Sequence, residues 1–126
     1  MTLLNHVVLQ VDDLTTVGEW YDQIVNLAGG RRTFDTPTLL GYALPGQPTQ
    51  LFFSQATDPG GRQTHLALTV EDEVTVQRGH EFATATGAEI LHEPRLWPEY
   101  GPGYYAVFIR DPAGNNLELK CTVTTN

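Results

Sequence analysis

The chain has 126 residues, 40 % of them hydrophobic and 17 % charged, with a formal net charge of −8. That length fits one compact domain with its own core. No run approaches the roughly 18 apolar residues that would cross a bilayer, and the acidic balance argues against a nucleic-acid partner, which needs a basic face. Cys121 stands alone, which excludes an internal disulfide and fits a reducing compartment. The start MTLLNHVV has no basic region followed by an apolar stretch, so no signal peptide is expected and the cytoplasm is the expected location.

The first element is the alternating stretch NHVVLQVDD at 5–13, which reads as a strand. His6, Val8 and Gln10 fall on one face of it, and Val7, Leu9 and Val11 on the other. DLTTVGEWYDQIVNLAGG follows, with Leu14, Val17, Tyr21, Ile24 and Ala28 spaced three and four apart. That spacing predicts an amphipathic helix, capped by Asp13 or a nearby Thr and stopped by Gly29 and Gly30. Three strand-like pieces come next, RRTFDT, LLGYAL and TQLFFSQ, with PGQP before the last.

The chain then repeats itself. After a connector at about 58–62, THLALTVED at 64–72 matches the first stretch fifty-nine positions later, with His65 in the place of His6 and Asp72 in the place of Asp13. A weaker helical pattern, EVTVQRGHEFATATGAEI, is stopped at Gly87, and AEILHE, YYAVFIR and NNLELKCTV follow, with DPAG before the last. The expected fold class is therefore α+β: two pseudo-symmetric βαβββ modules, about 1–57 and 63–126, forming a single domain with a cupped, largely antiparallel mixed sheet and helices outside.

In the last strand Asn116, Glu118 and Lys120 oppose Leu117, Leu119 and Cys121, so His6, His65 and Glu118 all lie on the mixed face of their strands. Taken singly, each is more often a solvated or hydrogen-bonded strand residue than a ligand. The equivalence of the two histidines is what joins them into a candidate two-histidine, one-carboxylate site with open positions. Such a set suits Fe(II) and also accommodates Mn, Ni, Co or Zn, so one divalent ion per site is expected.

The sequence resembles the vicinal oxygen chelate superfamily, which includes glyoxalase I, extradiol dioxygenases, methylmalonyl-CoA epimerase and bleomycin-binding proteins. The carriers are NHVVLQVDDLTTVGEWYDQIV, THLALTVED and YYAVFIRDPAGNNLELK, and the likeness runs over essentially the whole chain. The resemblance implies paired βαβββ modules, metal ligands at His6, His65 and Glu118, a small-molecule substrate or ligand, and no membrane or nucleic-acid partner. Because members often dimerise, a homodimer is one arrangement it allows.

Departures from the family narrow the activity. Glyoxalase I-like members carry a glutamate on the fourth strand, where symmetry places Phe52. Epimerase-like members use a glutamine there, and Gln50 shares the face of Phe52. The tyrosine that catechol-cleaving members place before the last turn is here Phe108. Substrate contacts are expected from Gln50, Phe52, Tyr104 and Phe108, and from Trp97 in the loop PRLWPEYGPGYY at 94–105, read as a flap or as a loop packed on the body. No acid or base is assigned; Glu99, Tyr104 or a metal-bound water are the groups at hand. Two functions are expected from this pattern. One is a divalent-metal-dependent lyase, isomerase or dioxygenase acting on a substrate that chelates through adjacent oxygens. The other is a bleomycin-resistance-like protein that sequesters a small molecule without catalysis. A dimerising accessory module is the third class.

Overall fold

A computed structural model describes residues 4–57, 60 and 64–124, so the connector expected at 58–62 lies, apart from Gly60, outside the described residues. The chain divides into two compact units, 1–62 and 63–126. Each is a βαβββ module, as the repeat predicts.

Unit 1 runs β1 (Val7–Val11), α1 (Leu14–Leu27), β2 (Arg31–Asp35), β3 (Leu39–Ala43) and β4 (Leu51–Gln55). Its sheet has the order β1-β4-β3-β2, with β1 parallel to β4 and the other pairs antiparallel. The apolar stripe of α1 explains the core. Val17, Tyr21 and Ile24 are buried together with Phe53, Leu40 and Tyr42, and the Tyr21 and Phe53 rings lie 4.4 Å apart. The Tyr42 hydroxyl is kept inside by donating to Gly18 O and Asp22 Oδ1 at 3.0 and 2.8 Å, while Arg32 pairs with both Asp22 oxygens at 2.9 Å. A buried polar group with its partners in place costs little, whereas the same group unpaired is expensive.

Unit 2 runs β5 (His65–Thr69), α2 (Glu73–Ala85), β6 (Ile90–Leu96), a single 3₁₀ turn at Pro98–Tyr100, β7 (Tyr104–Arg110) and β8 (Asn116–Thr122). Its order, β5-β8-β7-β6, repeats that of unit 1, again with one parallel pair, β5 on β8. Leu117, Leu119, Val107 and Ile109 are buried on one face of the sheet, and Val76 and Ala83 of α2 are buried as well. Ala106, Phe108 and Trp97 form a separate cluster.

The structure differs from the sequence reading between residues 94 and 96, which belong to β6 and not to a loop. β6 is an edge strand, where Pro94 removes no ladder donor that a neighbour needs. Register shifts between Ile90 and His92, and between His92 and Arg95, absorb the irregularity. The first strand also begins one residue after His6, so this histidine stands just ahead of the ladder.

Both helices are capped by an aspartate, the first as its sequence suggests. Asp13 Oδ1 accepts from Thr16 N at 3.1 Å, and Asp72 Oδ1 accepts from Thr75 N at 2.9 Å. The backbone hydrogen bond from Thr16 holds the Asp13 carboxyl below its ordinary value of 3.8, and the hydroxyl and backbone of Thr75 do the same for Asp72. A lowered folded value means that the caps contribute fully above the unfolded value and lose their contribution as pH falls through the lower folded values. Asp13→Asn and Asp72→Asn keep a capping side chain but remove the titration. Each should flatten the acid limb of a plot of unfolding midpoint against pH, read by circular dichroism below about pH 4.

Gly103 fixes the entry into β7. It has φ +68°, its carbonyl accepts from Val123 N at 2.7 Å, and a Cβ there would collide with the Val123 carbonyl oxygen. Gly103→Ala is expected to cost about 2–3 kcal/mol in denaturant unfolding, because it adds a left-handed backbone penalty to a steric clash.

Candidate functional site

The Asp-Pro-x-Gly turn between β7 and β8 does more than reverse the chain. Asp111 Oδ1 accepts from Ala113 N and Asn115 N at 2.9 and 2.8 Å, and Gly114 takes φ +90° to close the turn. Asn115 Oδ1 then accepts from Thr64 N at 3.0 Å. The same turn therefore sets the start of β8 and anchors the residue before His65. With β5 and β8 parallel in the register His65↔Asn116 and Ala67↔Glu118, His65 and Glu118 fall on one face, one step apart.

On that face the His65 Nε2 and Glu118 Oε1 atoms lie 2.9 Å apart. The imidazole is half exposed and the carboxylate is buried. The Tyr104 hydroxyl donates to Glu118 Oε2, so both carboxylate oxygens are engaged. Burial first, then the bond to Glu118 and its charge, push the Tyr104 hydroxyl up to about 12. Phe108, opposite Glu118 in the β7–β8 register, sets its ring edge-on to His65 at 5.9 Å. These four side chains, with Glu99 and Tyr100, line a cavity of about 480 Å³. That is within the ~300–1,000 Å³ range of small-molecule sites.

Glu99 and Tyr100 reach the cavity from the 3₁₀ turn, which Pro98 starts. The sequence singled out Glu99 only as an acid or base at hand, and it gave Tyr100 no role. The available signal was Pro98 followed by Gly101, which punctuate a turn. The backbone N–H of Glu99 itself, helped by Arg95 at 3.5 Å, holds this carboxyl below the usual range. Trp97 is placed differently from the cavity-lining residues. It is buried against Phe108 and Ala106, donates Nε1–H to Ala106 O at 3.1 Å, and carries the Arg95 guanidinium 3.4 Å over its ring.

In unit 1 the equivalent positions are occupied differently. The β1–β4 register pairs Val8 with Phe52, so Phe52 holds the place that Glu118 holds in unit 2. The His6 ring stands edge-on to Phe52 at 5.8 Å, and its Nδ1 is 2.8 Å from Asn5 Oδ1. Phe34 packs edge-on to Phe52 from the far strand at 6.1 Å. Gln50, at the end of the same row, is exposed. Within neither unit do the described residues gather three or more His, Cys, Asp or Glu side chains into one group.

The chemistry of the unit 2 pair fits two positions of a divalent-metal site. One imidazole and one carboxylate present donor atoms toward each other at a cavity wall, and both are ordinary ligands for first-row ions. Asn116, the cross-strand partner of His65, has a buried Oδ1 atom with no hydrogen-bond partner among the described residues. An acceptor of this kind beside the pair is suited to a donor brought by a bound group.

The family model for the Glyoxalase/Bleomycin resistance protein/Dioxygenase superfamily matches residues 3–119. Among solved structures, a glyoxalase/bleomycin resistance protein from Albidiferax ferrireducens T118 is similar at TM-score 0.81 and 19 % identity, over 97 % of this chain and 100 % of that one. A lactoylglutathione lyase from Agrobacterium tumefaciens is similar at TM-score 0.70 and 23 % identity, over 95 % and 92 % of the two chains. A glyoxalase/bleomycin resistance protein/dioxygenase family enzyme from Burkholderia phytofirmans PsJN follows at TM-score 0.72 and 18 % identity, over 94 % and 97 %. At these identities the likeness shows the fold. No curated protein matches the sequence.

Proposed function

Because this chain belongs to the glyoxalase/bleomycin resistance protein/dioxygenase superfamily, we propose that it is a divalent-metal-dependent enzyme acting on a small substrate that chelates the ion through adjacent oxygens. The reaction is of lyase, isomerase or dioxygenase type. His65 and Glu118 are the ligands that unit 2 supplies.

The observation that carries this reading is the convergence of His65 Nε2 and Glu118 Oε1 at the wall of the cavity. A Fe, Mn, Ni, Co or Zn ion bound there supplies Lewis-acid polarisation of the substrate oxygens. The remaining work falls to the chain. His65 binding through Nε2 carries its proton on Nδ1. Phe108, Tyr100 and Tyr104 cover the apolar parts of the substrate and exclude water. Glu99, ionised and at the cavity rim, is the group placed to accept a proton from a bound substrate.

The test is metal content by elemental mass spectrometry, on untagged protein loaded in turn with Fe, Mn, Ni, Co and Zn. About one ion per chain in the wild type, lost in His65→Ala, is the expected result. No uptake of any ion by the wild type would sink the reading.

One observation favours a second reading, that of a binding protein without catalysis. The cavity wall combines three aromatic rings with two carboxylates, a combination that suits a cationic aromatic ligand through ring-face attraction and charge. Metal-independent binding of such a dye, detected by quenching of tyrosine fluorescence and unchanged by a chelator, would favour it over the enzyme.

A further inference from the structure

Tyr104 is the first residue of β7, and its side chain reaches back along the sheet to Glu118 instead of to the residue it faces, Thr122. Three contacts hold it there. The hydroxyl donates to Glu118 Oε2. The Lys120 ammonium sits 4.6 Å from the ring centroid, on the same face of β8 as Glu118. The Tyr100 ring meets it edge-on at 5.5 Å. The glycine before it is fixed by the Val123 hydrogen bond, so the backbone leading into the ring is not free to turn.

The two oxygens of Glu118 are thus unequal. Oε2 is committed to a neutral donor held on three sides, and Oε1 faces His65 Nε2. We propose that Tyr104 is a positioning residue that commits Glu118 to one-oxygen ligation of a divalent cation, leaving coordination positions open for a chelating substrate. A carboxylate free to swing would close over the ion with both oxygens and occupy one of those positions. Partners behind a ligating group orient it and typically change metal affinity about 10–100-fold when removed. The inference rests on the metal-binding reading above and adds a role for a residue that is not itself a ligand.

The experiment uses the whole untagged chain and Co(II) alone as the probe, with affinity read by competition against a chelator and geometry by the visible d–d bands. Tyr104→Phe keeps the ring, its Lys120 contact and its packing but removes the donor. It is expected to bind Co(II) about 10–100-fold more weakly, with weaker d–d absorption as the freed oxygen raises the coordination number, and to stay folded with a modestly lowered unfolding midpoint, since one partly buried hydrogen bond is lost. Lys120→Met keeps the hydroxyl and removes the charge over the ring, and it should move both readouts the same way by a smaller factor. Wild-type affinity and spectrum in Tyr104→Phe would overturn the inference while leaving the metal site standing. A wild-type chain that takes up no Co(II) would instead overturn the metal reading, and this inference with it.

Discussion

Glu118→Gln is expected to fold like the wild type and yet lose divalent-metal binding by roughly 100-fold or more, since it removes a ligand itself whereas loss of an outer partner alone costs about 10–100-fold. The amide is the same shape as the carboxylate. Its oxygen can still accept from one neighbour, but it cannot supply the anionic donor that the proposed site draws from Glu118. Glu118→Ala separates the structural part of the role. It removes the partner of both the His65 imidazole and the Tyr104 hydroxyl and leaves a hole at a position only 4 % exposed. A further loss of about 1–3 kcal/mol in unfolding free energy is expected from the unpaired groups. Metal affinity by chelator competition and stability by denaturant titration, measured on both variants, check the two halves. A glutamine variant that binds metal like the wild type would remove Glu118 from the ligand set.

The second large effect belongs to unit 1, where two consecutive phenylalanines have opposite roles. Phe53 is fully buried, with Tyr21 at 4.4 Å and Tyr42 at 6.0 Å. Phe53→Ala removes an aromatic ring from a packed core, a change that costs about 3–5 kcal/mol. That is a large share of the ~5–15 kcal/mol that holds a domain of this kind together. Phe52, on the other face of the same strand, packs beside His6 and Phe34 and is only partly covered. Phe52→Ala should cost about 1 kcal/mol or less. Denaturant midpoints of the two variants, measured side by side, check the face assignment; equal losses would contradict it.

The fold was readable because two independent periodicities agree. The alternation in NHVVLQVDD and THLALTVED marks β1 and β5, each at one end of its sheet and parallel to its neighbour, and the three-and-four spacing from Leu14 to Ala28 marks the first helix. The same fifty-nine-residue offset that pairs His6 with His65 also pairs the caps Asp13 and Asp72, each bonded to a threonine three residues on. A local pattern can carry this much because capping and alternation are decided by neighbours in the chain.

What escaped the sequence depends on register and on irregular backbone. Pro94 suggested the end of a strand, but an edge position with a bulge tolerates it, so β6 runs on to Leu96. Trp97 fell in a stretch that read either as a flap or as a loop packed on the body; the extension of β6 delivers it into the buried cluster with Ala106 and Phe108. The reach of Tyr104 to Glu118 spans two steps of the β7–β8 ladder, which no spacing along the chain reports. The equivalence of Phe52 and Glu118 was legible from symmetry, and the two parallel registers repeat it.

His65 and Glu118 are proposed to hold a divalent cation at the wall of the unit 2 cavity. The most direct measurement is paramagnetic broadening of the backbone amide spectrum on titration with Mn(II), using the full untagged chain. At well under one equivalent, the amides around His65, Glu118, Tyr104 and Phe108 are expected to be lost first. Broadening confined to other parts of the chain, or none beyond that given by the Glu118→Gln variant, would contradict it.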